Sequence, residues 1–498
     1  MVERTLVRAW VARWQAQPDR PVLHDEREGW VTGAQLDQCT RTIASTLSGR
    51  GVGRGCRVLL SGATDIELVV AHIALLRLGA VVVPVNVAYR EREVTHIVRD
   101  CRPMMAIVDD GWAPWIASVD ERCAVVSVGE ASSAGGAIDP RTEIDAVGRD
   151  APAMIGYTSG TTGAAKGAVL SHGNLLASVA ALASAWRWTS DDRLVLCLPL
   201  FHMHGLGVGL HGTLFNGASA VLLDGFDPDT VIDAAGEHEA TLFFGVPTMY
   251  HRLVDCARVG ELARLRLCVA GSAPLPASVH DAFRAATGRT VLERYGMTET
   301  VMLVSNPYEG ERRAGSVGFP LPGVEVRFGR DGGTTVDVST AGLDGEAGEI
   351  LVRGPNVFRG YWERPASNVV AFTDGWFRTG DLATVAPDGY ITIVGRAKEL
   401  IISGGFNVYP REVEEVLATH PAVADVAVVG TPSQEWGEEV TAFVVVRSGQ
   451  VEPDRDALRE FCREQLARYK LPRRVVIIDT LPRNALGKVV KHELRCPP

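Results

Sequence analysis

"MIGYTSGTTGAAKGAVLSHGNL" (residues 154–175) concentrates Gly, Thr and Ser in a short run that is followed by one lysine, Lys166. Hydroxyls and free backbone N–H groups of this kind suit a polyphosphate. Apolar residues at 153–155 and 168–170 flank the run, which predicts a strand, a loop and a second strand. A helix is predicted to begin near Asn174, behind a serine that can cap it. The stretch therefore predicts a phosphate-holding loop, while a solvated Gly/Thr turn remains the alternative.

The loop is not a Walker A motif, which requires G-x-x-x-x-G-K-[ST] between a strand and a helix. Counting from Gly160 places Ala165 where the second glycine belongs, and Gly167 follows Lys166. The predicted second strand also differs from the helix that a Walker loop enters. Any phosphate bound here must be held in another way.

Length and composition indicate a multidomain globular enzyme that does not bind nucleic acid. The chain has 498 residues and a net charge of −10, with no basic region that would suit nucleic acid. Its nine cysteines form no C-x-x-C pair, which argues against a disulfide framework or a zinc site and favours a reducing, cytoplasmic location. No signal peptide is predicted. The most apolar run, from Leu68, contains His72 and Arg77 and predicts a buried helix and a strand, not a membrane span.

Alternating strand and helix patterns predict an α/β fold. We expect a large N-terminal domain of covered, mostly parallel βα sheets (1–395) and a small, mobile α+β domain (396–498). Two Gly-rich stretches, 128–140 and 329–348, are predicted to be surface loops. In the small domain the patterns predict helices at 410–419 and 454–469 and strands at 423–430 and 440–446.

Four further motifs carry a family resemblance: "ERYGMTET" (293–300), "GWFRTGDLATVAPDGY" (375–390), "VGRAKELIISGGFNVYPREVE" (394–414) and "LPRNALGKVVK" (481–491). With the Thr/Ser/Gly loop they resemble the adenylate-forming superfamily of acyl-CoA synthetases, luciferases and peptide-synthetase adenylation domains. The resemblance covers nearly the whole chain, with the motifs in the family's order. It implies a reaction in which ATP converts a carboxylate into an acyl-adenylate, which a thiol then attacks. ATP, Mg²⁺ and CoA are the implied cofactors and substrates.

The resemblance also implies a role for each motif residue. The β- and γ-phosphates are expected at Thr158, Ser159, Gly160, Thr161, Thr162, Gly163 and Lys166. Around the nucleotide we expect Tyr295 with Gly296 at adenine, Thr298 at the α-phosphate, Glu299 at Mg²⁺, Asp381 at the ribose and Arg396 at the ribose or a phosphate. Lys488 is expected to reach the α-phosphate during adenylation, Lys398 to lie at the domain hinge, and His202 to gate the acyl pocket. The expected catalytic set is Lys488, Glu299, Thr298 and His202.

Three of these residues also have ordinary structural explanations. Asp381 is a common turn residue, Glu299 could be a solvated carboxylate, and His202 could pack against its neighbouring Phe. The motif context favours the functional interpretation of the two carboxylates. For His202 both interpretations stay open.

The nature of the acid is less determined. "LPLFHMHGL" (198–206), "FGVPTMYHRL" (244–253) and "AGSAPLP" (270–276) are similar to malonyl-CoA synthetases. Arg294 is then expected to pair with the second carboxylate of malonate or of a similar small dicarboxylic acid. A salt bridge from Arg294 to its neighbour Glu293 is the structural alternative. The apolar stretch after Thr300 also leaves room for a fatty, terpenoid or aromatic monocarboxylic acid.

The thiol acceptor is expected to be a separate molecule, because the chain ends ten residues after Lys488. CoA is the first candidate and a free-standing acyl carrier protein the second. A luciferase-like oxidation is possible on the same scaffold, but no residue favours it. A catalytically inactive nucleotide-binding relative is a different class of hypothesis, against which the presence of Glu299 and Lys488 argues.

Overall fold

The structure is a computed structural model that describes residues 5–108, 110–132, 139, 141–158, 165–330, 333–483 and 488–495. Its helices are α1 Leu6–Ala16, α2 Gly33–Gly49, α3 Ile66–Arg77, α4 Glu91–Cys101, α5 Ala113–Ala117, α6 Val128–Ser132, α7 His172–Ala185, α8 His211–Asn216, α9 Pro228–Glu237, α10 Pro247–Val254, α11 Ala277–Thr287, α12 Val338–Asp344, α13 Pro365–Ala371, α14 Pro410–Ala418 and α15 Arg455–Arg463. A π-helical turn, His204–Leu210, leads directly into α8.

The strands of the first half are β1 Pro21–Asp25, β2 Gly29–Thr32, β3 Arg57–Leu60, β4 Val81–Pro84, β5 Met105–Ile107, β6 Ala124–Val126, β7 Pro152–Thr158, β8 Lys166–Ser171, β9 Arg193–Leu196, β10 Ser219–Leu222, β11 Leu242–Gly245, β12 Leu267–Ala270 and β13 Leu292–Tyr295. Those of the second half are β14 Val304–Ser305, β15 Phe319–Pro320, β16 Glu325–Gly329, β17 Thr335–Asp337, β18 Gly348–Arg353, β19 Phe372–Thr373, β20 Trp376–Val385, β21 Ile391–Arg396, β22 Ile401–Ser403, β23 Phe406–Val408, β24 Val423–Ser433, β25 Gly437–Val446 and β26 Arg474–Ile477.

The described chain forms two compact units, residues 1–325 with 352–377 and residues 326–351 with 378–498. The α/β class and the large and small parts are as predicted from the sequence. The predicted boundary at 395/396 separates an N-terminal domain from a C-terminal domain that moves as one body. It remains a prediction. No helix among the described residues is long and apolar enough to cross a membrane.

The first unit contains two mostly parallel sheets. One has the strand order β15-β14-β13-β12-β11-β9-β10-β1-β2, and the other has the order β6-β5-β3-β4-β7-β8. Helix α3 contacts β1 of the first sheet and both β3 and β4 of the second, so it lies between them. Every residue of α3 except Glu67 is buried, as expected for a helix that is covered on nearly all sides.

The quoted stretch contains both predicted strands. Strands β7 and β8 pair antiparallel, with Thr158 opposite Lys166 at the end next to the loop. Helix α7 begins at His172, two residues earlier than predicted, because the Ser171 side chain caps it by accepting a hydrogen bond from the backbone N–H of Asn174 (3.1 Å). Residues 159–164 lie outside the described residues.

Two further sheets follow. One has the order β17-β16-β18-β20-β19 with β21 on β20, and the other has the order β23-β22-β25-β24 with β26 on β25. The predicted C-terminal strands and the helix at 410–418 are present. The second predicted helix ends at Arg463, not at 469, and a short 3-10 turn at Arg468–Lys470 follows it.

The prediction that 128–140 and 329–348 are loops was wrong in part. The first stretch opens with α6, and the second contains β17 and α12. Strand β17 forms because its backbone pairs with β16, with Asp337 opposite Arg327. Such pairing supplies the strand with hydrogen bonds that its own Gly-rich sequence does not indicate.

Candidate active site

One edge of the first sheet collects six of the predicted site residues: His202, Arg294, Tyr295, Gly296, Thr298 and Glu299. Strands β9, β11, β12 and β13 are adjacent and parallel, so the segments that follow their carboxyl ends meet at one edge. These segments contain the histidines after β9, Gly271 and Ser272 after β12, and the turn from Gly296 to Glu299 after β13. The topology thus brings together residues that lie up to about a hundred positions apart.

The turn after β13 is tightly coiled. A Cβ on Gly296 would lie 2.1 Å from the carbonyl oxygen of Val301, and Val301 itself has a φ of +57°, which is uncommon for a β-branched residue. The Asn356 amide donates to the carbonyls of Thr300 (3.0 Å) and Met302 (2.7 Å) and holds this turn. Strain supported by such bonds is typical of functional sites.

The hairpin β7–β8 and this turn lie against each other. Gly156 of β7 is so close to Thr298 that an added Cβ would come within 2.5 Å of the Thr298 Cγ2 atom. At the end of the hairpin the Thr158 hydroxyl donates to the carbonyl of Lys166 (3.4 Å). The structure therefore places Thr298 beside the hairpin from which Thr158 and Lys166 project. The expected positions of Ser159, Gly160, Thr161, Thr162 and Gly163 lie outside the described residues.

Helix α4 contacts the base of the loop. Its His96 Nε2–H donates to the carbonyl of Ala165 (2.9 Å), the residue immediately before Lys166. The Tyr157 hydroxyl, on β7, donates to Asp100 of the same helix (2.7 Å). Burial is the main cause that raises the pKa of Tyr157, so this phenol stays protonated and can donate.

Arg294 is the most unusual side chain of the site. It is 4% exposed, and its guanidinium lies against Gly271, where a Cβ would come 2.3 Å from the Arg294 Cζ. Its Nε and Nη2 have no hydrogen-bond partner among the described residues. Burial lowers the pKa of Arg294 to about 9, so the group is still a cation at neutral pH.

The salt bridge to Glu293 that the sequence allowed does not form. The Glu293 carboxylate accepts hydrogen bonds from the backbone N–H groups of Gly315 (2.7 Å) and Leu275 (3.3 Å). Successive residues of a strand point to opposite faces of the sheet, which separates the side chains of Glu293 and Arg294.

Two histidines lie near this guanidinium. Burial and then the charge of Arg294 lower the pKa of His202 to about 4 and that of His204 well below its usual value, so both are neutral at pH 7. His204 Nδ1 lies 3.4 Å from the hydroxyl of Ser272, a residue with a φ of +72°. The Nε2 of His204 has no partner among the described residues. His204, which was not among the predicted site residues, thus lies beside Arg294 together with His202.

The predicted ribose residues, and Lys488 of the two predicted α-phosphate residues, belong to the second unit. Asp381 and Arg396 are cross-strand neighbours on β20 and β21 and form an ion pair (Nε to Oδ1, 2.7 Å). Asp381 is buried, not a solvated turn residue. Although Lys488 keeps solvent access, desolvation by its surroundings and the charge of Arg396 lower its pKa, while Asp381 and Glu399 act in the opposite direction. The predicted hinge residue Lys398 lies in an exposed 3-10 turn, Ala397–Glu399.

Sequence reasoning missed the segment "GPNVFRGYW" (354–362), which contributes Asn356 and Tyr361. The Tyr361 hydroxyl donates to Glu299 Oε1 (2.9 Å), and the Lys166 ammonium lies 5.3 Å from the centre of the Tyr361 ring. Glu299 is buried, not a solvated carboxylate. The only available signal was the mixture of Gly, Asn and aromatic residues in a stretch between two predicted strands.

Comparison with known proteins identifies the family of this chain. The family description "AMP-binding enzyme" matches residues 10–362, and "AMP-binding enzyme C-terminal domain" matches residues 412–488. The chain belongs to the AMP-binding enzyme family. The predicted adenylate-forming superfamily is confirmed, and this member of the family is an AMP-forming acyl-CoA synthetase with ATP and CoA as substrates.

Several family members are similar over nearly their full lengths. The mitochondrial malonate–CoA ligase ACSF3 of Mus musculus is 39% identical over 88% of this chain and 81% of its own. A feruloyl-CoA synthase of an Amycolatopsis species is 37% identical over 93% of each chain. The crystal structure of ATP-bound MatB from Rhodopseudomonas palustris is 38% identical, covers 98% of each chain and superposes with a TM-score of 0.91. The resemblance to malonyl-CoA synthetases is therefore confirmed.

Proposed function

We propose that this acyl-CoA synthetase activates malonate or a similarly small dicarboxylic acid, giving malonyl-CoA in the first case. The observation that carries the proposal is the buried, cationic Arg294, two of whose N–H groups have no partner among the described residues. A second carboxylate on the substrate would supply the missing acceptor and the missing charge.

The energetics favour an anion at this position. A buried charge without a partner is strongly unfavourable, and polar groups in protein interiors are nearly always hydrogen-bonded. His202 and His204 are neutral, so Arg294 is the cation that a second carboxylate would pair with, and the two histidines can donate N–H groups to a carboxylate. A monoacid would leave Arg294 unpaired and would be rejected on that account.

The names of relatives support the same substrate and acceptor. Malonate is the acid in the name of the Mus musculus ligase, and both that ligase and the Amycolatopsis feruloyl-CoA synthase are named for CoA as the thiol. A free-standing carrier protein has no such support. The Mus musculus ligase is named as mitochondrial, and the cytoplasmic location of this chain stays a prediction.

The remaining residues fit the adenylation step. We propose that Lys166 and Thr158 hold the β- and γ-phosphates, Thr298 contacts the α-phosphate, and Tyr295 with Gly296 lies against adenine. Asp381 and Arg396 would bind the ribose, and Lys488 would stabilise charge on the α-phosphate as the carboxylate oxygen attacks it and pyrophosphate leaves. In the second step the CoA thiol attacks the acyl carbon and AMP leaves.

Glu299 fits a role in holding Mg²⁺ together with ATP. No cluster of three or more metal-binding side chains exists among the described residues, and Mg²⁺ bound with a nucleotide commonly uses one carboxylate plus phosphate oxygens. When bound there, the ion would neutralise phosphate charge. Glu299 and the loop hydroxyls would orient the nucleotide for in-line attack.

One observation favours an aromatic monoacid as the alternative substrate. His204 stacks on Phe244 (ring centres 6.5 Å apart), and Phe244 packs edge-to-face on Trp186 (5.4 Å). Leu303 and Val304 are also fully buried and apolar. Such a wall would suit ferulate-like acids if the pocket extends along it.

A panel of acids decides between these substrates. The protein is incubated with ATP, Mg²⁺, CoA and one acid at a time, and AMP formation is measured. We expect malonate to give the highest kcat/KM, above succinate, butyrate and ferulate. A preference for butyrate, ferulate or a long monoacid would disprove the dicarboxylate proposal, and AMP formation at the same rate with and without an acid would disprove activation of an acid as the reaction.

The substitution Arg294→Met tests the same proposal at its decisive residue. Loss of one partner of a buried ion pair costs roughly 3–5 kcal/mol, and about 1.4 kcal/mol corresponds to tenfold. We therefore expect kcat/KM for malonate to fall by about a hundredfold or more, while butyrate is accepted better and ATP binding is unchanged. Arg258→Met is the control, because Arg258 forms only exposed ion pairs on the same unit. Unchanged malonate preference in Arg294→Met would place the second carboxylate elsewhere, next to His202.

A further inference from the structure

The segment 354–362 connects the two halves of the nucleotide site. Its Trp362 N–H donates to the carbonyl of Gly167 (2.8 Å), and its Gly360 carbonyl accepts from the Val169 N–H (3.1 Å), so it pairs with β8. The Phe358 N–H donates to the backbone carbonyl of Glu299 (2.8 Å). Backbone hydrogen bonds therefore hold this segment both to the β7–β8 hairpin and to the turn after β13.

Tyr361 lies on this segment between two proposed ligand-binding groups. Its hydroxyl donates to Glu299 Oε1 (2.9 Å), and the Lys166 Nζ lies 5.3 Å from its ring centre, within the range of a cation–π contact. Glu299 is 4% exposed, so a polar partner for its carboxylate matters more than it would in water. One side chain thus contacts both the carboxylate and the ammonium.

We propose that Tyr361 is a positioning residue for adenylation: its hydroxyl orients Glu299 towards Mg²⁺, and its ring orients Lys166 towards the phosphates. The inference rests on the roles proposed above for Glu299 and Lys166. The two functions belong to different parts of the side chain, so they can be removed separately.

The arrangement has a physical rationale. A Lys and a Glu that face the same nucleotide tend to pair with each other when it is absent, and MgATP would then have to break that pair. Lys166 forms no ion pair with a carboxylate among the described residues, and its ammonium lies over the Tyr361 ring. The aromatic face binds the ammonium more weakly than a carboxylate would, so a phosphate can replace it easily.

The test compares Tyr361→Phe with Tyr361→Leu by calorimetric titration of ATP in the absence and presence of Mg²⁺. Tyr361→Phe keeps the ring and loses the hydroxyl. Loss of one hydrogen bond to a charged group corresponds to roughly tenfold, so we expect the gain in ATP affinity that Mg²⁺ provides to shrink by about five- to tenfold. Affinity for ATP without Mg²⁺ should stay within twofold of wild type.

Tyr361→Leu loses the ring as well. We expect this variant to lose the gain in ATP affinity that Mg²⁺ provides. It should also bind ATP about threefold more weakly without Mg²⁺, in line with a typical cation–π contact. The rate of AMP formation at saturating malonate should show the same effects: a higher Mg²⁺ requirement in both variants, and a larger rise in the KM for ATP in Tyr361→Leu than in Tyr361→Phe.

Matched variants separate this inference from the function on which it rests. Tyr308→Phe is the control, because the Tyr308 ring also makes cation–π contacts with arginines but lies on a different segment. This variant should leave the effect of Mg²⁺ on ATP affinity unchanged.

Two further variants test the roles of Glu299 and Lys166 themselves. Glu299→Gln should abolish most of the effect of Mg²⁺ on ATP affinity, and Lys166→Met should weaken ATP binding both with and without Mg²⁺. If both do so while Tyr361→Phe binds ATP as wild type does with and without Mg²⁺, the role of Tyr361 is disproved and the proposed function stands. If Glu299→Gln leaves the Mg²⁺ effect intact, the assignment of Glu299, and with it the role of Tyr361, is wrong. If Tyr361→Phe instead weakens ATP binding equally with and without Mg²⁺ and also lowers the melting temperature, the role of the Tyr361 hydroxyl is purely structural.

Discussion

At the scale of single residues, the glycine at position 271 determines where the Arg294 side chain can lie. Gly271 follows β12, and the position of its missing Cβ is occupied by the Arg294 guanidinium, with Cζ at 2.3 Å and Nε at 2.5 Å. A real Cβ does not come that close to another heavy atom. Only glycine at 271 therefore allows Arg294 its observed position.

The substitution Gly271→Ala should displace the guanidinium without unfolding the protein, because the clashing atoms belong to the end of a flexible side chain. Misplacement of a positioning group by about 1 Å can cost on the order of a hundredfold. We expect kcat/KM for malonate to fall by about ten- to a hundredfold, with the KM for ATP unchanged. Steady-state kinetics with malonate and ATP as varied substrates measures both.

The control is Gly49→Ala, since no atom lies within 4 Å of a Cβ placed at Gly49. It should leave both kinetic constants unchanged. Full malonate activity in Gly271→Ala would mean that Arg294 does not bind the substrate in the position seen here.

At the scale of elements, the helices between the two sheets share a buried pair of histidines. His72 of α3 and His211 of α8 are hydrogen-bonded through their Nε2 atoms (2.9 Å), and their rings stack 5.2 Å apart. Burial, with a smaller effect of the nearby His172 of α7, lowers the pKa of His72 to about 3, and burial lowers that of His211 well below its usual value. The pair is therefore neutral in the folded protein at pH 7.

This pair should make the first unit sensitive to acid. A histidine whose pKa is lower in the folded state than its unfolded value of about 6.5 binds more protons when unfolded. Its contribution to stability is therefore complete above pH 6.5 and is lost as the pH falls below 6.5. Each such group adds about 1.4 kcal/mol per pH unit to the slope of unfolding free energy between its two pKa values.

We expect His72→Gln to flatten this slope by about that amount, because glutamine can hydrogen-bond to His211 but does not titrate. Urea unfolding at pH 7.5, 6 and 5 measures the slope. His251→Gln is the control, as His251 is exposed on α10, and it should leave the slope unchanged. An unaltered slope in His72→Gln would show that His72 is already protonated in the folded state.

At the scale of the whole molecule, the proposed reaction uses residues of both units. The first unit contains the β7–β8 hairpin, Glu299 and Arg294, and the second contains Asp381, Arg396 and Lys488. The resemblance to the adenylate-forming superfamily implies that the C-terminal domain rotates between the two half-reactions. Lys488 would then meet the reacting phosphate in only one of them.

Lys488→Ala should therefore separate the half-reactions. We expect acyl-adenylate formation, measured by release of pyrophosphate, to fall by about 10²–10³-fold, since a charge directed at the transition state is lost. Conversion of supplied malonyl-adenylate to malonyl-CoA should stay within a few-fold of wild type. Lys470→Ala is the control, because Lys470 pairs with Glu412 in the same unit. Equal loss of both half-reactions in Lys488→Ala would argue against domain rotation.

Much of the site could be predicted from local sequence. The strand–loop–strand around Lys166 follows from apolar flanks and a capping serine, and Glu299 and Asp381 follow from motifs whose order matches one superfamily. The errors are equally local. Residues 329–348 were predicted to form a loop, because the hydrogen bonds that make Thr335–Asp337 a strand come from its partner strand and not from its own sequence.

The sequence by itself determined the α/β class and the superfamily, because each of these depends on short-range patterns and on motif order, and it proposed the residues that would face the nucleotide. Only the tertiary structure decided that Arg294 is buried with no carboxylate partner among the described residues, that Gly271 makes room for it, and that Tyr361 contacts both Glu299 and Lys166. The physical reason is that partnership and burial are properties of pairs of segments. Tyr361 lies 62 positions from Glu299 along the chain, and only the pairing of its segment with β8 brings the two side chains within hydrogen-bonding distance.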